Sequence, residues 1–200
     1  MYPPKHHQEN DIQKMIAVIE EYPLGMLVSV LDGKPLVTHI PIIYNHKIQK
    51  LVAHIDKYNP QVKTLTDGAE VTVIFRGPDA YISPSIYTTT QLPTWNYIFV
   101  HLTGKITLIN DPEAAKKTMI AMTKFLEDKE QKYILEPDNK RMEAAVNYIQ
   151  AFEIEVTHWE GKFKLSQDKV KQDQLNAKEV LKQNAKKDRD GFIEDIYKTD

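Results

Sequence analysis

Residues 26–40 read Met26-Leu27-Val28-Ser29-Val30-Leu31-Asp32-Gly33-Lys34-Pro35-Leu36-Val37-Thr38-His39-Ile40. Two apolar, β-branched runs flank Asp-Gly, a pair that accepts the positive φ of a tight primed turn, so this stretch predicts a β-hairpin. Working outward, Leu51 to Ile55 and Val71 to Phe75 predict further strands, with a short helix from Asn59 or Pro60 to Leu65. Tyr97 to Ile109 is a long apolar, β-branched run and predicts the next strand. Phe152 to Trp159 alternates and is expected to turn through Glu160-Gly161 into Lys162-Phe163-Lys164-Leu165.

Helices frame these strands. Ile12, Met15, Ile16 and Ile19 fall at i, i+3, i+4 and i+7 behind Asn10 or Asp11 and ahead of Pro23, which predicts an amphipathic helix over 11–22. Asp111-Pro112 is a cap followed by proline at the first helical position, with Ala115, Met119, Met122 and Leu126 on one face. Asp138 is expected to open a second helix carrying Met142, Ala145, Val146 and Ile149. Strands, a helical insertion over 111–150 and a returning strand give a mainly β, α+β class: an antiparallel β-barrel with peripheral helices. The expected organisation is a domain over 1–167 followed by a charged helical tail over 168–200, solvated and frayed because its apolar stripe is poor beyond Val170, Leu175 and Leu181.

Composition narrows the function. The 200 residues are 42% hydrophobic, enough for a real core, and contain no cysteine, which excludes disulfides, thiol nucleophiles and thiolate metal sites. The formal net charge of −2 gives no global attraction to nucleic acid or anionic lipid. Met-Tyr-Pro-Pro-Lys-His-His at the start has neither part of a signal peptide, and no apolar run reaches membrane-spanning length, so a cytoplasmic protein is expected.

Polar and aromatic groups gather in the remaining segments. Thr38-His39-Ile40-Pro41 and His54 through Asn59-Pro60-Gln61 are expected at the ends of neighbouring strands. Gly77-Pro78-Asp79-Ala80-Tyr81-Ile82-Ser83-Pro84-Ser85-Ile86-Tyr87, followed by Pro93-Thr94-Trp95-Asn96-Tyr97, reads as a shaped loop, because proline removes backbone donors and is costly inside a sheet. Lys164-Leu165-Ser166-Gln167 follows the last strand. His39 and His54 lack a metal-ligand spacing, no serine sits in a nucleophile elbow, and no glycine-rich phosphate loop is present, so no metal site is expected. Lys57, Asn59, Ser83, Lys164, Ser166 and Gln167 offer donors for a phosphate, while Tyr87, Trp95 and Tyr97 offer flat walls. A flat, phosphate-bearing ligand suits this set; a solvated Lys164, a helix cap at Ser166-Gln167 and an aromatic loop packed on its own core suit it equally well.

In this order the pieces resemble the PaiB-like family of FMN-binding negative transcriptional regulators: Met1-Tyr2 with Pro4, Thr38-His39-Ile40-Pro41, His54 with Asn59-Pro60, Gly77-Pro78 through Tyr87, Pro93 to Tyr97 with His101, and Lys164 to Gln167. The resemblance implies a dimeric split barrel of the FMN-binding, pyridoxamine-phosphate-oxidase-like type, with FMN sites shared between two subunits. It implies His54, Lys57 and Asn59 near the phosphate and ribityl chain, Trp95, Asn96 and Tyr97 near the ring, and Lys164, Ser166 and Gln167 as a closing clamp, with Thr38, His39, Ser83 and Tyr87 also among the cofactor-binding residues. The chain departs from the family at Ile86, where tryptophan is usual, and in a shorter link, Thr88 to Leu92, that lacks a lysine. The expected role is a flavin-dependent oxidoreductase or a redox-linked regulator. The competing readings are a DNA-binding repressor using Lys178, Lys182, Lys186, Lys187 and Arg189, and a haem-binding split barrel with His54 or His158 as axial ligand.

Overall fold

The hairpin, the long strands and the capped helices all appear in the computed structural model, which describes residues 4–127 and 131–186. In chain order the elements are β1 (Gln8–Glu9), α1 (Ile12–Glu21), β2 (Leu24–Leu31), β3 (Lys34–Asn45), β4 (Lys50–Asp56), β5 (Glu70–Ile82), β6 (Thr94–Ile109), α2 (Pro112–Leu126), α3 (Lys140–Ala145), β7 (Ile149–Lys164) and α4 (Lys171–Ala185). Short 3-10 turns occupy Lys5–His7, Pro60–Thr64, Pro84–Ile86 and Val146–Tyr148.

The sheet runs β1-β7-β4-β3-β2-β5-β6, and β6 pairs again with β7, so the strands close on themselves as a barrel. The fold is an antiparallel β-barrel with peripheral helices, as expected. At its start Asp32 and Gly33 take φ of 50° and 75°, the mirror-image turn that their sequence calls for, and β2 pairs with β3 from Leu24↔Pro41 to Leu31↔Lys34.

The chain divides into two compact units. The first comprises the described residues of Glu9–Arg76 and Phe99–Gly161. Its core is filled by alternate strand residues, Leu27, Ile42, Leu51, Val73, Phe75, Leu102, Phe152 and Ile154 among them, all buried. Outside the barrel, Met122 and Phe125 of α2 pack on Ile43 and Val52. α1 lays Met15, Ile16, Val18 and Ile19 inward, while Ile12 stays exposed. Asp11, Asp111 and Asn139 cap α1, α2 and α3 through side-chain acceptors.

The second unit comprises the described residues before Glu9, then Gly77–Ile98, then those from Lys162 on. Here Ala177 of α4 is buried in a cluster with Ala80 and Ile82, joined by Ile86, Tyr87, Val180 and Leu181. The tail helix is therefore packed along one side rather than solvated all round, because a small residue lets it approach the strand closely.

Several expectations change. Gly77 to Ile82 belongs to β5 rather than to a loop; the β2–β5 pairing covers only Met26–Val28 with Thr72–Ile74, so Pro78 falls beyond it and costs no hydrogen bond there. Glu160-Gly161 makes no turn but lies within β7. The glycine is needed for close approach instead: a Cβ on Gly161 would meet Glu9 O at 2.8 Å and Met15 Sδ at 3.1 Å. α3 begins at Lys140, capped by Asn139 rather than Asp138, and stops at Ala145, with Ile149 already in β7. Lys187 and Arg189 lie outside the described residues.

Gly104 marks where β6 and β7 meet in the first unit. A Cβ there would stand 2.5 Å from Ile154 Cγ2 and 2.7 Å from Glu155 O. Backbone cannot yield as a flexible side chain does, so Gly104→Ala is expected to lower stability by about 1–3 kcal/mol. Urea unfolding monitored by tryptophan fluorescence checks this; a midpoint equal to the parent's would show that the strands have room to part.

Candidate functional site

β3, β4 and the 3-10 turn after β4 place the first group of predicted residues, all in the first unit. Thr38 and His39 sit in the middle of β3, not at its end as expected. Asn59 caps the Pro60–Thr64 turn by accepting from Gln61 N, and donates Nδ2 to Thr38 Oγ1 at 3.0 Å. The turn is anchored by Gln61, almost fully buried, whose Nε2 donates to Leu27 O, Ser29 Oγ and Leu36 O. Lys57 is exposed and donates to Asn147 O at 2.9 Å, while His39 points to solvent. Among the described residues His54 Nδ1 is buried without a hydrogen-bond partner, and burial holds this imidazole below its ordinary value of 6.5. His54 is accordingly neutral near pH 7, a hydrogen-bonding group rather than a counter-charge.

The second group lies in the second unit, around a cavity of about 320 Å³. Its wall includes Thr94 and Asn96 of β6, Lys164 at the end of β7, and Ser166 and Asp168 beyond it. Lys164 Nζ donates to Thr94 Oγ1 and stands 6.0 Å from the Tyr97 ring centroid, with Lys162 at 5.3 Å. Asn96 is buried, and its Nδ2 donates to Ser166 Oγ at 3.0 Å; Tyr87 Oη lies 3.1 Å from the same oxygen. Ser166 takes φ of 63°, a left-handed conformation costing about 1 kcal/mol or more for a residue with a Cβ, and these bonds hold it there. Trp95 points the other way on β6, half exposed, edge-on to Tyr81 with centroids 6.3 Å apart.

Two predicted donors are occupied locally. Ser83 caps the Pro84–Ile86 turn, its Oγ 2.8 Å from Ser85 Oγ. Gln167 accepts from Leu165 N at 2.7 Å and donates to Phe163 O, closing the turn after β7. Sequence reasoning did not include His7, Gln91, Leu92 and Lys169, which also line the cavity, nor Asp168. His7, Asp168 and Lys169 are far along the chain from β6, and Gln91 and Leu92, although they directly precede it, belong to no motif that marks a site. With Lys164, Lys169, Thr94 and Asn96 in one wall, the cavity offers ammonium, hydroxyl and amide donors together, a donor set that suits an oxyanion such as a phosphate.

A groove of about 450 Å³ in the same unit shares Asn96 with it and is lined by Ile98, Leu165, Leu175, Leu181, Lys171, Lys178 and Lys182, among others.

Comparison with known proteins decides the family. Residues 1–158 match the family described as "Putative FMN-binding domain". The chain belongs to this family. It is 32% identical over 184 residues to the protease synthase and sporulation protein PAI 2 of Bacillus subtilis, covering 90% of this chain and 89% of that protein. Among solved structures it is similar in fold to the FAD and heme binding protein from Mycobacterium smegmatis, with a TM-score of 0.66 at 17% identity over 86% of this chain and 80% of that one. The flavocytochrome Anf3 from Azotobacter vinelandii follows at 0.62 and 16%, over 78% of this chain and 69% of that one. Among the described residues no helix is long and apolar enough to cross a membrane.

α4 is tied to the 87–89 segment by a buried carboxylate. Asp173 accepts from Thr88 N at 2.6 Å, Thr88 Oγ1 at 2.8 Å and Thr89 Oγ1 at 2.6 Å. Desolvation pushes its pKa up, but the hydrogen bonds from Thr89 and Thr88 together outweigh it and hold the group below 3.8. A depressed carboxylate contributes stability above its unfolded value and loses it as pH falls through the folded one. Asp173→Asn is therefore expected to melt below the parent at pH 7, with the gap narrowing once pH drops under about 4. A melting-temperature difference that is constant from pH 7 to pH 3 would contradict this role.

Proposed function

We propose that this protein binds FMN through its second unit and that the bound flavin serves a flavin-dependent oxidoreductase or a redox-linked regulator. The observation that carries the reading is the donor-lined cavity at Lys164, in a chain of the FMN-binding domain family. Lys164 and Thr94 would hold the phosphate, Asn96 and Ser166 would fix that wall, and Trp95 and Tyr97 would offer aromatic surface to the ring. In the first unit, Thr38 and Asn59 form a bonded pair. Bound flavin supplies electron or hydride transfer, while the protein orients it and sets its electrostatic surroundings.

A homodimer belongs to the same reading. The faces of β2 and β3 leave Leu24, Val30 and Val37 exposed in the first unit, an apolar strip that a second copy would cover. Light scattering at micromolar concentration is expected to give twice the chain mass; a monomer would remove this part of the proposal.

The flavin assignment is tested by titrating the purified protein with FMN and following absorbance between about 350 and 500 nm, where flavin, haem and empty protein differ. Lys164→Ala removes a charge-assisted hydrogen bond of about 1.5–3 kcal/mol, so the dissociation constant is expected to rise about tenfold or more. The apo protein's melting temperature should change little. FMN binding by the variant equal to the parent's would reject the role of Lys164, and no binding by the parent would reject the cofactor.

A further inference from the structure

His6, His7 and Asp168 come together in the second unit although 160 residues separate His7 from Asp168 in the chain. Each offers a ligand atom, and the three atoms lie within 4.8 Å of one another. The 3-10 turn Lys5–His7 presents two consecutive imidazoles on one side, their ring centroids 4.1 Å apart at 63°. His7 is buried, whereas His6 and Asp168 are exposed. His7 and Asp168 also line the 320 Å³ cavity, so the cluster opens onto water-accessible space.

We propose that His6, His7 and Asp168 form a binding site for a divalent transition cation of the zinc class. Imidazole nitrogen with one carboxylate is the donor set that such borderline cations prefer over calcium or magnesium, which favour oxygen alone. Bond lengths of about 2.0–2.2 Å place the donors of a tetrahedral site about 3.3–3.5 Å apart. The cluster reaches that spacing by side-chain rotation of the two exposed ligands. Three protein ligands leave the remaining position facing the cavity, where water or an anionic group completes the shell. Asp168 already pairs with Lys169 Nζ at 2.6 Å through Oδ2; the cation would take the carboxylate in competition with that ammonium or through Oδ1. This inference does not rest on the flavin reading.

The test uses the untagged full chain, stripped with a chelator and titrated with Co(II), whose ligand-field absorption reports histidine and carboxylate coordination; Zn(II) is then added as competitor. One Co(II) per chain is expected, displaced by Zn(II). His6→Gln and Asp168→Asn change exposed side chains, and each is expected to weaken binding by about tenfold or more through loss of one ligand. His46→Gln, which alters the exposed pair with Glu20 elsewhere on the surface, is expected to bind like the parent. Absence of the Co(II) spectrum, unchanged binding in both the His6→Gln and Asp168→Asn proteins, or equal weakening by His46→Gln would each overturn the proposal. Circular dichroism of the variants matching the parent's shows that lost binding reflects lost ligands.

Discussion

The close backbone approach of β6 and β7 at Gly104 is the contact on which the architecture depends. A sheet of this strand order has two free edges until β6 pairs with β7, and each edge would expose unpaired N–H and C=O groups. Closure pairs the edge of β6, leaving the two-residue β1 at the other end of the order, and encloses a core in the first unit that includes Phe75, Phe152 and Ile154. The same two strands also supply residues to the second unit, where Thr94 and Asn96 of β6 and Lys164 of β7 line the cavity. The tight packing that a missing side chain permits at Gly104 therefore acts on the very strands that carry the candidate ligands.

Much of this was legible because local chemistry and global fold agree. The Asp32-Gly33 turn, the caps at Asp11 and Asp111, and the Asn59-Pro60 entry to a short helical turn are each decided by a few neighbouring residues. Misreadings came where a residue type has two uses. Gly161 looked like a turn residue but serves approach between backbones, and Pro78 looked like a loop residue but lies in β5 past the β2 pairing. Neither distinction exists in sequence, since both depend on what lies across space.

The site was legible in part for the same reason. Lys164 and Ser166 were visible as donors beside aromatics, and in the second unit they line one cavity together with Asn96. Ser83 and Gln167, of the same chemical type, instead satisfy their own turns. The tie from Asp173 to Thr88 and Thr89 had no signal at all: a carboxylate in a charged tail and a run of threonines each look solvated when read alone.

α4 is held by polar pins as well as by a narrow apolar contact. Besides Asp173, Asn176 Nδ2 donates to Ile86 O at 2.7 Å and Asn184 Nδ2 to Asp79 O at 2.6 Å, while the apolar contact comes from Ala177 with the partly buried Val180 and Leu181. Elements attached in this way expose little hydrocarbon when they detach. Sub-global opening of α4 would therefore carry a small heat-capacity change and a shallow denaturant slope, set apart from global unfolding by how little surface it uncovers rather than by how much free energy it costs. Such an element can undock in native solvent at a rate that mild denaturant hardly alters, and it carries Lys171, Lys178 and Lys182 of the groove lining with it.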